Sequence, residues 1–128
     1  MNGYGVEQDC NKAIEYFQKS FEKGNSYAVK NLAWCYLCGE CVKQDKSKAI
    51  EYYQKSSELG NQYASYTLGE FYEEGVFVWK NSAKAFEYYI KAEEQGNTDA
   101  IFKIASCYEN GRGVKKDYEK AFKYYEKS

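Results

Sequence analysis

Residues 25–60 read NSYAVKNLAWCYLCGECVKQDKSKAIEYYQKSSELG, and the rest of the chain repeats this pattern. The lysine-alanine pair in this stretch recurs every 36 residues without insertion or deletion, as Lys12-Ala13, Lys48-Ala49, Lys84-Ala85 and Lys120-Ala121. A fixed period of this length is typical of repeat proteins, in which each unit buries its apolar surface only against its neighbours. The spacing therefore predicts a repeat array, and it favours binding over catalysis.

Each repeat is predicted to be a pair of helices. Ala28, Leu32, Cys35 and Tyr36 form an apolar stripe at helical spacing, and Gly39 follows where a helix would end. A second helix is expected to run from after Asp45 to Gly60. Asparagine and aspartate side chains accept hydrogen bonds from a first helical turn, so they are the predicted N-caps. Those of the first helices are Asn25, Asn61 and Asn97, and those of the second helices are Asp9, Asp45, Asn81 and Asp117.

Small and aromatic columns predict how the helices pack into an all-α solenoid. Alanine or glycine recurs in the first helices, where it allows close approach of neighbouring helices. Tyrosine pairs recur in the second helices and are interpreted as packing between layers. The small positions are Ala28, Ala33, Ala64, Gly69, Ala100 and Ala105, and the pairs are Tyr52-Tyr53, Tyr88-Tyr89 and Tyr124-Tyr125.

The composition argues against binding to nucleic acid and to membranes. The 128 residues are 44% hydrophobic and carry a net charge of −1, so no bulk field favours nucleic acid or an anionic membrane. No stretch approaches the roughly 20 apolar residues of a membrane span. Five cysteines, an odd number, indicate a reducing compartment, and we expect a cytoplasmic protein.

The sequence offers little for catalysis. Histidine is absent, which excludes Ser-His and Cys-His arrangements, and no phosphate-binding glycine loop occurs. The carboxylate pairs Glu73-Glu74 and Glu93-Glu94 are interpreted as solvated surface at helix ends. We therefore expect neither an enzyme nor a cofactor.

At this point the pattern resembles a known family. The consensus Ala-x3-Leu-(Ala/Gly)-x2-Tyr-x2-Gly-x2-Val-x2-Asp-x2-Lys-Ala-x2-Tyr-Tyr-x-Lys resembles the Sel1-like repeat, a relative of the tetratricopeptide repeat, over essentially the whole chain. The resemblance implies a right-handed α/α solenoid of about seven antiparallel helices. It also implies a scaffold or adaptor that binds protein partners, since such proteins act in signalling, in endoplasmic-reticulum-associated degradation and in bacterium–host interaction.

The same resemblance implies domain boundaries. Residues 1–128 are expected to form a single solenoid with a partial unit at 1–24 and repeats at 25–60, 61–96 and 97–128. Because the array begins and stops in the middle of a unit, we expect a fragment of a longer array. Uncapped ends also raise the alternative of a structural module that self-associates end to end.

The cysteines support one further alternative. Cys35, Cys38 and Cys41 have metal-ligand spacing, so a thiol-based metal or redox module is kept as an alternative function. Cys35 shares its column with Phe71 and Cys107, which favours core packing instead. Secreted relatives carry a regular cysteine pair in each repeat, and this chain lacks that pattern.

The binding surface is predicted from the first helices, which line the concave side of such solenoids. The face turned away from the apolar stripe holds Tyr27, Asn31, Trp34, Tyr63, Thr67, Glu70, Asp99, Lys103 and Ser106. Lys30, Tyr66 and Phe102 share one further column, for which packing between helices is favoured for the two aromatic residues. Trp34 stands where other repeats have Glu70 and Ser106, so it is a candidate hot spot.

The charges of the first helices predict the chemistry of the partner, and two irregular residues mark a second surface. The first helices carry two lysines against five carboxylates, so the groove should favour a neutral or basic segment with an apolar anchor. These groups are Lys30, Lys103, Glu70, Glu73, Glu74, Asp99 and Glu109. Phe77 and Trp79 depart from the pattern of the turn. Packing over the helix ends is the favoured interpretation, and an edge contact with a partner is the alternative.

Overall fold

The computed structural model describes residues 3–38 and 46–128, without the side chains of residues 3–11, 26, 30, 34, 35, 37 and 38. The chain separates into two compact units, Met1–Leu59 and Gly60–Ser128. Unit 1 contains α1 (Gly3–Glu22), a 3-10 turn (Ser26–Ala28), α2 (Val29–Cys38) and α3 (Lys46–Glu58). Unit 2 contains α4 (Gln62–Glu74), α5 (Ser82–Glu94), α6 (Asp99–Asn110) and α7 (Tyr118–Lys127). Seven helices and no strand occur in these ranges, which confirms the predicted all-α class.

Three helices of unit 2 begin directly after their predicted caps, and α6 begins one residue later, after Thr98. The Asn61 carboxamide oxygen accepts hydrogen bonds from the backbone N–H groups of Tyr63 and Ala64 at 2.9 and 3.1 Å. Asn81, Asn97 and Asp117 each accept one at 3.1 Å from the residue three positions on. These bonds satisfy N–H groups that have no partner inside the helix. Asp45 and Gly39 lie outside the described residues.

The first turn of the chain differs from the prediction. Asp9 was expected to cap a second helix, but α1 runs without a break from Gly3 to Glu22 and contains it. In unit 2 the corresponding turn is held by the preceding helix, because Asn81 N–H donates to the Tyr72 carbonyl at 2.9 Å. The backbone of Gly3–Glu22 instead satisfies its hydrogen bonds within one continuous helix.

The lysine-alanine column forms a recurrent packing motif with two tyrosines. Lys84 Nζ lies 5.2 Å from the centroid of the Tyr72 ring, and that ring stacks on Tyr88 at 5.8 Å and an interplanar angle of 6°. Ala85, the neighbour of the lysine, is buried. The motif recurs in unit 2 as Lys120, Tyr108 and Tyr124, and in unit 1 as Lys48, Tyr36 and Tyr52. The predicted architectural role of the tyrosines is therefore confirmed at these positions.

The core of each unit lies between its own helices. In unit 1, Ile14 packs with Leu32 and is covered by Phe17, Phe21 and Tyr52. In unit 2 the core cluster is Tyr72, Ala85, Tyr89, Ile104 and Cys107. No helix in the described ranges has both the length and the apolar composition of a membrane span.

Gly69 shows how closely the helices of unit 2 approach. A Cβ atom at this position would lie 2.6 Å from Cε1 of the buried Tyr89 ring. The small residue therefore makes room for the tyrosine, which confirms the predicted use of small residues in the first helices.

Two glycines in the turn after α6 differ in how closely their surroundings approach them. Gly111 and Gly113 both have left-handed backbone, with φ of 68° and 75°. A Cβ on Gly113 would lie 2.2 Å from the Ser82 carbonyl oxygen, whereas one on Gly111 would make an ordinary contact of 3.5 Å with Lys116.

We predict that Gly111→Ala lowers the free energy of unfolding by about 1–2 kcal/mol, the cost of a left-handed L-residue. Gly113→Ala should cost about 1–3 kcal/mol more, because the turn must also move away from α5. Urea unfolding followed by circular dichroism measures both values. Equal losses in the two variants would contradict the close approach at Gly113.

Candidate functional site

The candidate site lies on unit 2 and is formed by two helices. We use the name α4–α6 face for the predicted surface residues of these helices, which are Tyr63, Tyr66, Thr67, Glu70, Asp99, Phe102, Lys103 and Ser106. Their spacing puts each set on one side of its helix. Tyr63 and Phe102 are 58% and 56% exposed, which is high for large aromatic side chains. Asp99 is exposed, and Thr67, Glu70, Lys103 and Ser106 are half-buried.

An ion pair joins the two helices of the face. Lys103 Nζ lies 3.8 Å from Glu73 Oε2, and Arg112 Nη1 lies 3.5 Å from Glu73 Oε1. The Tyr89 hydroxyl also donates to the Glu73 carboxylate. Glu73 therefore has three partners, and the interpretation of this residue as solvated surface is wrong.

A repeated spacing in the sequence could have revealed this role. Tyr89 follows Glu73 by 16 residues, and Tyr125 follows Glu109 by the same interval. The Tyr125 hydroxyl donates to Glu109 at 2.6 Å. The two carboxylates thus belong to a recurring tyrosine–carboxylate contact. Of the five acids counted on the first helices, Glu73 is in addition compensated by the positive charges of Lys103 and Arg112.

Glu70 and Asp99 are the carboxylates that the fold leaves on the face. Neither forms an ion pair within the described part of the chain. Burial raises the pKa of Glu70, the positive charge of Lys103 opposes that rise, and the charges of Glu74 and Glu73 add to it. The ionised form of Glu70 is therefore disfavoured in the folded protein, and a cation bound beside this carboxylate would stabilise it.

The aromatic residues of the face have different surroundings. The Tyr66 ring packs against the core, with its centroid 5.7 Å from that of Tyr89, so the packing interpretation is right for Tyr66. Its pKa is raised by burial and then by the charges of Glu70, Asp99 and Glu73. Phe102 touches the Tyr125 ring edge-on at 5.5 Å but stays largely exposed. The contact with Tyr125 therefore covers only part of the Phe102 ring, and the rest is open to solvent.

Ser106 marks the end of the face towards the turn. The Asn110 carboxamide donates to the Ser106 carbonyl at 3.0 Å and to its hydroxyl at 3.3 Å. The hydroxyl already has a partner, so Ser106 is the least available of the predicted contacts on α6.

A second irregular surface follows α4, and we call residues 77–80 the aromatic turn. Phe77 has left-handed backbone at φ 65°, and its ring meets the Phe71 ring edge-on at 5.4 Å. Trp79 is 94% exposed, so it does not lie over the helix ends as the packing interpretation required. An open cleft of about 440 Å³ adjoins the turn and is lined by Glu73, Glu74, Lys80, Ser82 and Arg112.

The remaining predicted positions lie in unit 1. Tyr27 is 58% exposed and its N–H donates to Asn25 Oδ1 at 3.1 Å, while Asn31 is exposed. The side chains of Lys30 and Trp34 lie outside the described residues, so the hot spot at Trp34 stays a prediction.

The cysteine alternative falls largely outside the described part of the chain. The side chains of Cys35 and Cys38 and the whole of Cys41 lie outside the described residues, so the metal or redox alternative stays a prediction. Within the described side chains, no group of three potential metal ligands occurs. Cys107 is a buried free thiol in the core of unit 2.

Comparison with known proteins assigns the chain to a family. The sequence model of the Sel1 repeat matches residues 1–25, 26–61, 62–97 and 98–128. These matches span the whole chain, so the protein belongs to the Sel1 repeat family. Sel1 repeats are generally protein–protein interaction modules and typically non-catalytic scaffolds. A comparison with curated proteins returned no significant match.

Solved structures with the same fold support this assignment. A Sel1 repeat protein from Oxalobacter formigenes superposes with a TM-score of 0.80 at 30% identity, covering 88% of this chain and 85% of that one. Cysteine-rich protein B of Helicobacter pylori gives 0.73 at 31% identity, covering 98% and 90%. A protective antigen of uropathogenic Escherichia coli, described as displaying an SLR fold, gives 0.79 at 28% identity and covers 88% of this chain. This chain spans only 24% of that antigen.

The raised pKa of Glu70 generates a prediction on stability. Replacing Glu70 by Gln should raise the melting temperature at pH 7 by no more than a few degrees, because the folded state then no longer holds a disfavoured carboxylate. The pKa of Glu70 is higher in the folded than in the unfolded protein. As the pH falls through the folded-state pKa, Glu70 becomes protonated, and the stability lost at pH 7 returns. The advantage of the variant should shrink accordingly.

The exposed Glu87 on α5 provides the control, since Glu87→Gln should leave the melting temperature near wild type at every pH. Thermal unfolding from pH 7 to pH 4 measures all three proteins. A lower melting temperature for Glu70→Gln at pH 7 would show that the carboxylate is stabilising.

Cys107 generates a prediction on thiol reactivity. Burial, and then the nearby charge of Glu73, raises the pKa of the Cys107 thiol to about 11. At pH 8 about one part in a thousand of this thiol is ionised, so alkylation of the folded protein should be about 100-fold slower than in urea. Mass spectrometry of the peptide that contains Cys107 after timed iodoacetamide treatment measures both rates. Similar rates in the two conditions would contradict the burial of this thiol.

Proposed function

We propose that this protein is a non-catalytic binding module whose α4–α6 face holds a partner segment with an aromatic or aliphatic anchor next to a lysine or arginine. The proposal extends the general role of Sel1 repeats to one surface and one class of partner. Tyr27, Asn31 and Trp34 of unit 1 are proposed as a further contact surface.

The observation that carries the proposal is the combination of exposed aromatic surface with unpaired carboxylates. Phe102 and Tyr63 offer large apolar side chains that are more than half exposed. Glu70 and Asp99 lie on the same face, and the pKa of Tyr66 is raised by burial and then by their charges. An apolar anchor would cover the rings, and its neighbouring cation would pair with the carboxylates.

Charge on the face favours a basic over an acidic segment. Lys103, the cation of the face, is already paired with Glu73. The burial that raises the pKa of Glu70 shows that its carboxylate is poorly solvated, so a cation placed beside it gains more than it would at an open surface. An acidic segment would meet uncompensated negative charge.

The test uses peptides of known sequence. A displayed library of random 12-residue peptides is selected on the wild-type protein, and fluorescence anisotropy gives the Kd of each enriched peptide. We predict enrichment of lysine or arginine within a few positions of an aromatic or large aliphatic residue. Phe102→Ala should weaken the binding of these peptides at least about tenfold, since truncating a central aromatic anchor typically costs more than 1 kcal/mol.

Matched controls separate the face from general effects of mutation. Phe122 on α7 is 63% exposed, so Phe122→Ala removes a similar exposed ring from a different surface and should leave Kd near wild type. Glu70→Gln should weaken the basic peptides, whereas Glu87→Gln should not. The proposal is wrong if Phe102→Ala and Phe122→Ala bind alike, or if acidic peptides are enriched.

A further inference from the structure

The aromatic turn carries a tryptophan that the backbone of the turn does not require. Phe77 has φ 65°, and Gly113 has φ 75° at the corresponding position of the next repeat. Glycine adopts this left-handed conformation without the steric cost that a phenylalanine incurs. Gly113-Val114-Lys115 therefore builds the same turn without either aromatic residue. Phe77 has a partner within its own unit in the ring of Phe71, whereas the geometry of the turn does not explain Trp79.

The exposure of Trp79 indicates a contact outside its own molecule. At 94% it is the most exposed of the large hydrophobic side chains that the structure describes. Lys80 follows it directly and is exposed as well. The turn lies between α4 and α5 and thus presents an exposed aromatic residue followed in sequence by an exposed cation.

This chemistry matches the partner class of the α4–α6 face. The face offers the exposed rings of Phe102 and Tyr63 together with the unpaired carboxylates of Glu70 and Asp99. Trp79 supplies an apolar anchor for the rings, and Lys80 supplies the adjacent cation for the carboxylates. The turn and the face are therefore complementary both in charge and in apolar surface.

We infer that the α4–α6 face of one copy binds the aromatic turn of a second copy of this chain. The inference rests on the proposed function of the face and names one partner for it. Since the turn and the face are different surfaces, the contact is heterologous, and each bound copy still offers one free turn and one free face. Association therefore continues beyond a dimer and increases with protein concentration.

Sedimentation velocity from micromolar to millimolar protein tests the inference. We expect the weight-average sedimentation coefficient of the wild type to rise with concentration, and more steeply at low salt, because charge pairs contribute. Trp79→Ala and Phe102→Ala should each stay monomeric over the same range. Phe122→Ala should behave as wild type, and circular dichroism should show the wild-type helical signal for all variants.

Mixing the two monomeric variants provides the sharpest test. Trp79→Ala keeps an intact face and Phe102→Ala keeps an intact turn, so an equimolar mixture should form a one-to-one complex that grows no further. Neither variant alone can form this complex. A mixture that stays monomeric, or one that forms long oligomers, overturns the inference.

The outcomes separate this inference from the proposed function. A wild-type protein that is monomeric at every concentration, or a Trp79→Ala variant that associates as the wild type does, overturns the self-recognition alone. In that case the selected peptides still bind and still depend on Phe102. Trp79→Ala should bind those peptides at least as tightly as wild type, because its own turn no longer competes for the face. Loss of peptide binding in this variant would show that the turn belongs to the peptide site, which overturns the inference.

Discussion

The stacking of two tyrosines beneath a lysine, beside a buried alanine, is the contact on which each repeat depends. In unit 2 it joins α4 to α5 through Lys84, Tyr72 and Tyr88, and it recurs between α6 and α7. Each cation–ring or ring–ring contact of this kind contributes about 0.5–1.5 kcal/mol. Because the alanine must be small and the rings must be planar, the motif permits little variation. It accounts for the recurrence of the lysine-alanine pair at Lys48, Lys84 and Lys120.

The same constraint decides which charges are left for binding. Tyr89, buried against Gly69, directs its hydroxyl to Glu73, and Lys103 and Arg112 complete the surroundings of that carboxylate. Glu73 is therefore part of the structural framework of unit 2. Glu70, one turn earlier on α4, has no such partner, and its raised pKa is the cost of holding a carboxylate at a half-buried position. A position that the fold does not stabilise is where a binding function can be expected.

Sequence reasoning succeeded where the determinant is local. The caps at Asn61, Asn81 and Asp117 were predictable, because a side-chain oxygen reaches N–H groups only two or three residues away. It failed where the outcome depends on a distant neighbour. Asp9 lies inside α1, which runs unbroken from Gly3 to Glu22, and Trp79 is 94% exposed instead of covering the helix ends.

The sequence by itself determined the repeat, the helix pairs and the family, because the 36-residue period, the caps, the small residues and the tyrosines all recur along the chain. It also indicated which residues belong to the surface of α4 and α6. Only the tertiary structure decided that Glu73 is paired, that Glu70 and Asp99 are not, and that Phe102 is open while Tyr66 is packed. The physical reason is that pairing and exposure depend on distances between side chains on different helices, which the spacing of residues along one helix does not contain.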